Sequence, residues 1–155
     1  MTAFWGAWRK VSHDRASTDP KFGFGGWIWF FYGFALVRTL LAMRNIFGNE
    51  AALGGMYGLE NVATIRIQLI LRILLLLPFL LLAPLRHSLM PPVAIAGVWM
   101  TAVLALLFGL IVSLPEDRLL SVLVVEVLVA SAYTLYLLRS KRVNVTYLSL
   151  IPSKA

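Results

Sequence analysis

The chain has 155 residues, of which 60% are hydrophobic and 14% charged, and its mean hydropathy is +0.83. Soluble domains carry roughly 25% charged residues, so the composition excludes a water-soluble enzyme and a disordered regulator and indicates an integral membrane protein. Cysteine is absent, which excludes disulfides and thiolate metal sites. The formal charge of +7 fits the Lys and Arg of cytoplasmic loops better than it fits nucleic-acid binding.

The first segment, residues 1–21, is polar overall but carries apolar residues at helical spacing, namely Phe4, Trp5, Trp8 and Val11. This pattern predicts an interfacial amphipathic helix on the cytoplasmic leaflet, with Trp5 and Trp8 as anchors at the membrane surface. The alternative is a mobile tail in which the two tryptophans are incidental.

Four apolar runs follow, at 25–43, 67–85, 93–114 and 121–138. Each run has about the 20 residues that a helix needs to cross the hydrocarbon core, and none alternates as the strands of a membrane barrel do. The runs therefore predict an all-α fold, a bundle of four transmembrane helices in a single membrane domain over 1–155.

The connections between the runs differ in length. Residues 44–66 form the longest one and contain four glycines. We expect this loop to lie on the bilayer surface or to cover the outer mouth of the bundle, and the alternative is a flexible linker. The later connections are short, so the second, third and fourth helices should be antiparallel neighbours.

After the fourth run, residues 139–155 predict a basic cytoplasmic tail. In this tail Lys141 and Arg142 should anchor the fourth helix against anionic headgroups. The alternative role for these basic residues is docking to an acidic partner.

The distribution of basic residues predicts the orientation of the bundle. Nine Lys and Arg residues fall in the two terminal segments and the second connection, and three fall in the first and third connections. Because cytoplasmic loops are enriched in Lys and Arg, this asymmetry predicts that both termini are cytoplasmic.

Three ionisable residues fall inside the apolar runs: Arg38, Arg72 and Glu126. On these boundaries each lies five residues, or about 8 Å, from the outer end of its helix. A lone charge in hydrocarbon is unfavourable, so we expect Glu126 to pair with Arg38, with Arg72 or with both. The remaining positive charge either binds an anion or belongs to an Arg72 side chain that snorkels to the outer headgroups.

The third run carries a small residue at every fourth position: Gly97, Thr101, Ala105, Gly109 and Ser113. Such a face lets helix backbones approach closely, so it predicts a packing surface within the bundle or between subunits. We expect Gly109→Leu to disturb this packing more than Gly97→Leu, because Gly97 lies nearer the end of the helix.

No arrangement of residues indicates catalysis or a metal site. The two histidines, His13 and His87, lie outside the apolar runs, and no helical histidine pair or pair of acids is placed so as to indicate a metal site. We therefore expect no enzymatic activity, no catalytic residue, no metal and no cofactor.

Two stretches carry a family resemblance: Gly-Gly-Trp-Ile at 25–28 and Ser-Lys-Arg-Val-Asn-Val-Thr-Tyr at 140–147. With four apolar runs, they resemble a family of small four-span bacterial inner-membrane proteins known only as a domain of unknown function. Its members commonly open with a Gly-Gly-Trp-Leu-like run and close with Ser-Lys-Arg-Val, then Thr and an aromatic residue. Here Ile28 stands where Leu is commoner. The resemblance implies a multi-pass protein of the bacterial inner membrane and implies no activity.

These features favour a non-catalytic accessory, assembly or stabilising subunit of a larger membrane complex. Its partners would be the lipid bilayer and other membrane-protein subunits, with no nucleic acid. The alternative is a binder or carrier of an anionic or amphipathic ligand, such as a lipid or a quinone, at Arg38, Arg72 and Glu126.

Overall fold

Four long helices make up most of the computed structural model, which describes residues 8–23, 25–48 and 50–152. In chain order the elements are β1 (Trp8–Lys10), α1 (His13–Ser17), α2 (Trp27–Gly48), α3 (Glu50–Tyr57), α4 (Val62–Leu82), α5 (Met90–Ile111), α6 (Glu116–Arg139), α7 (Lys141–Leu148) and β2 (Leu150–Pro152). The helices α2, α4, α5 and α6 are long and apolar enough to cross a membrane, which confirms the four predicted spans.

The helix ends differ from the ends of the apolar runs by up to five residues. Helix α5 begins at Met90, with Pro91 and Pro92 in its first turn, where the missing N–H of proline is not needed. Helix α6 begins at Glu116, and the charges of Glu116 and Asp117 interact favourably with the N-terminal end of the helix dipole.

The packing of the long helices is uneven around the bundle. Helix α5 packs against α4 and α6, and α2 packs against α4. Helices α2 and α6 meet mainly through long side chains. The Tyr133 hydroxyl donates to the Phe31 carbonyl oxygen at 2.5 Å, and the ring centroids of these two residues lie 4.4 Å apart in an edge contact. The bundle therefore has a seam between α2 and α6 that side chains bridge.

The end of the bundle that carries α3, here called the α3 end, differs from the predicted long loop. Residues 44–66 are mainly helical, because α2 continues to Gly48, α3 follows, and a 3-10 turn leads into α4. Leu53 of α3 is buried with Val62 and Ile65 of α4. The flexible-linker alternative is wrong, because this segment is mainly helical and packs an apolar side chain against α4. Helix α3 lies across the end of the bundle.

The opposite end, here called the termini end, contains α1, α7 and the strand pair. The Ser140 hydroxyl caps α7 by accepting from the Val143 N–H at 3.3 Å. The five residues 143–147 are all buried. The predicted basic tail is therefore a folded element through residue 152, because its apolar residues pack against the bundle.

The predicted amphipathic helix over 1–21 is wrong at residues 8–10. There the chain forms β1, which pairs antiparallel with β2 and sets Trp8 opposite Pro152. Within the described part of this segment, the helix is limited to His13–Ser17. Trp5 lies outside the described residues. The strand β2 that pairs with β1 comes from the far end of the chain, so local spacing did not reveal it.

The apolar core fills the half of the bundle nearest the termini end. Side chains from α2, α4, α5, α6 and α7 meet there, among them Ile28, Phe79, Met90, Tyr133 and Tyr147. A smaller apolar cluster lies beneath α3. Between the two lie the charged residues that the sequence singled out.

Candidate functional site

Arg38 of α2, Arg72 of α4 and Glu126 of α6 meet inside the bundle, and we call them the ion cluster. The Nη2 atom of each arginine donates to Oε1 of Glu126 at 2.5 Å. Glu126 is 5% exposed. One buried carboxylate oxygen therefore accepts hydrogen bonds from two guanidinium groups that belong to different helices.

The ion cluster lies farther from the helix ends than from the ends of the apolar runs. Each member is ten residues from the α3 end of its own helix: Arg38 from Gly48, Arg72 from Val62, and Glu126 from Glu116. At 1.5 Å per residue the cluster lies about 15 Å along each helix from that end, which is near the middle of all three helices. This distance is greater than the roughly 8 Å counted from the ends of the apolar runs, because α2, α4 and α6 each extend five residues beyond the apolar run at this end.

The position of the Arg72 guanidinium decides between the two alternatives for that residue. It donates to Glu126 at mid-depth and does not turn along α4 toward the α3 end. The expectation that Arg72 snorkels to headgroups is therefore wrong. Both arginines belong to the cluster, and the three formal charges leave a net charge of +1 beside a single carboxylate.

Two polar atoms of the ion cluster have no hydrogen-bond partner among the described residues. They are Oε2 of Glu126 and Nε of Arg72. Buried polar atoms in proteins are normally hydrogen-bonded. The ion cluster thus contains one buried acceptor and one buried donor that the described residues leave unsatisfied.

A cavity of about 430 Å³, here called the main cavity, lies between α4 and α6 on the α3 side of the ion cluster. Arg72 and Glu126 both line it. The other polar side chains that line it are Asn45, Tyr57, Gln68 and Ser121. Its apolar lining comes from Leu53, Ile65, Leu69, Val122 and Val125. The volume and the mixed lining are typical of sites for small molecules, which measure roughly 300–1,000 Å³.

The main cavity reaches the surface of the bundle along α6. Val122 and Val125 line the cavity and are also 38% and 56% exposed. Val125 lies nine residues from the start of α6 at Glu116, which is about 14 Å along the helix. The opening is therefore at the depth of the apolar layer. A second cavity of about 250 Å³ adjoins it and shares Tyr57, Ser121 and Val122.

The small-residue face of α5 lies inside the bundle over four of its five predicted positions. Gly97, Thr101, Ala105 and Gly109 are buried. Ser113 is exposed, lies past the end of α5 and has a φ of +54°, so its inclusion was wrong. The predicted run extended to residue 114, whereas the helix ends at Ile111 because the chain turns there toward α6.

The closest backbone approach on this face is at Gly97, not at Gly109. A Cβ added to Gly97 would lie 2.7 Å from the Leu75 carbonyl oxygen of α4. A Cβ added to Gly109 would meet the end of the Leu119 side chain, which can move. The structure therefore favours the opposite order for the effects of substituting the two glycines, because Gly97 faces a backbone and Gly109 faces a flexible side chain.

The two stretches that carry the family resemblance contact each other at the termini end. The Arg142 side chain lies over the opening glycines, with Nη1 3.2 Å from the position of a Cβ at Gly25. The Gly23 N–H donates to the Thr146 hydroxyl at 3.0 Å. Arg142 is thus partly buried against the start of α2, whereas Lys141 is exposed as an interface anchor would be.

Sequence reasoning missed the polar residues of the main cavity, although one signal was present. Gln68 lies four residues before Arg72, so both side chains are on one face of α4. Asn45 and Ser121 gave no such signal, because each comes from a segment that was assigned to a loop or to the edge of a span. Among the described residues, no three His, Asp or Glu side chains come together as a metal site would require.

No family model, curated protein or solved structure matches this chain. The resemblance to the four-span bacterial family therefore remains a prediction that rests on residues 25–28 and 140–147.

Proposed function

We propose that this chain is a membrane-embedded binding protein that holds the polar head of an amphipathic molecule in the main cavity. The observation that carries the proposal is that half-buried Arg72 and buried Glu126 both line the cavity, and each keeps a buried polar atom without a hydrogen-bond partner among the described residues. The exposed Val122 and Val125 at the opening would let an apolar tail remain in the bilayer. The function needs neither catalysis nor a cofactor.

The proposed orientation places both termini in the cytoplasm of a bacterium and the α3 end on the outer side of its inner membrane. The excess of basic residues in the segments of the termini end supports this orientation. The main cavity would then take its ligand from the outer half of the bilayer.

Native mass spectrometry after purification in a mild detergent tests the proposed function. The wild-type chain should retain amphipathic molecules. Val125→Trp should lose most of them, because the indole ring fills the opening. Val124→Trp is the matched control, since Val124 is 49% exposed on the same helix and does not line the main cavity. Equal retention by both variants, or no retention by the wild type, would contradict the proposal.

A second candidate is an accessory or assembly subunit of a larger membrane complex. The observation that favours it is the folded termini end, where basic side chains are exposed on a defined surface. These are Lys10, Arg15, Lys21, Arg139 and Lys141. Such a surface suits an acidic partner as well as anionic headgroups. Intact complexes released in the same detergent should then contain a second protein, and replacement of Lys141 and Arg139 by Gln should release it.

A further inference from the structure

The charge of the ion cluster narrows the class of molecule that the main cavity accepts. We infer that the ligand is a phosphodiester lipid with one net negative charge and with hydroxyl groups on its head, and that Arg72 binds its phosphate. This inference rests on the proposed function and names the chemistry of its ligand.

The net charge of the site favours a monoanion. Two arginines and one glutamate leave a charge of +1 at mid-depth of the bundle, where an uncompensated charge is unfavourable. A head with one negative charge brings the total to zero. A zwitterionic head or a neutral quinone leaves the positive charge in place, so neither satisfies the site as well.

The geometry assigns the anion to Arg72 and not to Arg38. Arg72 lines the main cavity, and its buried Nε has no partner among the described residues. Arg38 does not line the main cavity, and its guanidinium lies 5.7 Å from the centre of the Phe34 ring. When Arg72 turns toward a phosphate, Arg38 can keep its hydrogen bond to Glu126. The guanidinium fork matches two phosphate oxygens, which makes arginine the suitable residue type.

The carboxylate of Glu126 supplies a second criterion for the ligand, which is that its head must carry a hydrogen-bond donor. Its Oε2 atom accepts no hydrogen bond from the described residues. An anionic head without a donor would leave this oxygen unsatisfied and would also be repelled by its charge. A hydroxyl group on the head can donate to it, and Gln68 and Ser121 can hydrogen-bond to further hydroxyl groups. A simple fatty acid lacks such donors, whereas a glycerol-type phosphodiester carries them.

The opening of the main cavity indicates that the anion is part of a lipid. Val122 and Val125 are exposed at the depth of the apolar layer, so acyl chains can leave the cavity sideways while the head stays at Arg72. A water-soluble phosphodiester would gain nothing from this apolar rim.

Lipid titration of the delipidated full chain in detergent, followed by native mass spectrometry, tests the inference. The probes are phosphatidylglycerol, phosphatidylethanolamine and phosphatidylcholine with identical acyl chains, and glycerophosphoglycerol as the isolated head. Phosphatidylglycerol should bind roughly tenfold more tightly than the other two lipids. The isolated head should bind far more weakly. Val125→Trp should abolish the binding of phosphatidylglycerol.

Two variants of Arg72 assign the anion to its side chain. Arg72→Gln should bring phosphatidylglycerol to the affinity of phosphatidylcholine, and Arg72→Lys should keep part of the preference because it keeps the charge. Arg44→Gln is the control, since Arg44 is an exposed cation on α2 and does not line the main cavity. If Arg72→Gln does not fold, the inference is still tested by Arg72→Lys and by the comparison of the three lipids on the wild-type chain.

The outcomes separate this inference from the proposed function. Equal affinity for the three lipids, lost in Val125→Trp, overturns the inference and leaves the proposed function intact. A preference that survives in Arg72→Gln overturns the role of Arg72. Binding of the isolated head as tight as that of the lipid overturns the assignment to a lipid. Absence of any binding sensitive to Val125→Trp overturns both proposals.

Discussion

Gly97 of α5 lies directly against the backbone of Leu75 of α4, and a Cβ at Gly97 would be 2.7 Å from the Leu75 carbonyl oxygen. A helix backbone cannot move locally without disturbing its hydrogen bonds. The two helices therefore keep their separation only while position 97 lacks a side chain.

The contact predicts that Gly97→Ala destabilises the protein more than Gly109→Ala. Overpacking a close contact typically lowers the free energy of unfolding by about 1–3 kcal/mol. At Gly109 the added methyl group meets the flexible Leu119 side chain, so the loss should be smaller. Thermal unfolding in one detergent measures both variants. A lower midpoint for Gly109→Ala would show that α4 and α5 can separate at Gly97.

The ion cluster predicts a large effect of Glu126→Gln. This variant leaves two half-buried guanidinium groups without a counter-charge, and because breaking a fully buried pair lowers the free energy of unfolding by about 3–5 kcal/mol, the loss here should be near the lower end of that range. The matched control is Glu116→Gln, because Glu116 is exposed at the start of the same helix. Denaturation of the two variants in detergent compares them. Equal stability would mean that the cluster does not hold the three helices together.

The contact between α7 and the bundle predicts a role for Tyr147. Its hydroxyl donates to the buried Ala83 carbonyl oxygen at 2.8 Å. Tyr147→Phe removes this hydrogen bond, whereas the Ala83 oxygen keeps the Arg86 N–H at 3.2 Å, so it should lower the free energy of unfolding by about 0.5–1.5 kcal/mol at neutral pH. Calorimetry at pH 7 measures the loss.

Tyr147 also predicts a dependence of stability on pH. Burial raises the pKa of Tyr147 above the usual value of about 10. The unfolded chain therefore loses this proton at a lower pH than the folded chain does. The stabilisation is complete below about pH 10 and falls as the pH rises above that value. The unfolding midpoint of Tyr147→Phe should fall less steeply in this alkaline range than that of the wild type. Parallel curves of unfolding midpoint against pH would count against burial of the Tyr147 hydroxyl.

The orientation predicts the accessibility of single cysteines, which the cysteine-free chain makes easy to introduce. Asp117 is exposed at the α3 end and Lys141 is exposed at the termini end. A membrane-impermeant maleimide should label Asp117→Cys in intact cells and Lys141→Cys only after the membrane is opened. The reverse pattern would place the termini outside, despite the bias of basic residues.

Local composition was sufficient to predict the four membrane helices and the positions of the charged residues within them. A helix satisfies its own backbone hydrogen bonds in an apolar layer, so a run of about 20 apolar residues specifies a span without reference to the rest of the chain. The equal offsets of Arg38, Arg72 and Glu126 within their runs followed from counting residues, and they indicated correctly that the three share one depth. The distance of the ion cluster from the helix ends could be counted only once the structure gave those ends.

Only the tertiary structure decided how distant segments meet. The pairing of β1 with β2 and the contact of Arg142 with Gly25 join parts of the chain more than a hundred residues apart, and the packing of Tyr147 of α7 against Ala83 joins residues 64 positions apart. The hydrogen bonds of both arginines to one oxygen of Glu126, and the cavity beside them, depend on the spacing of α2, α4 and α6. That spacing follows from how all the side chains of the bundle pack at once, which no local pattern of residues specifies.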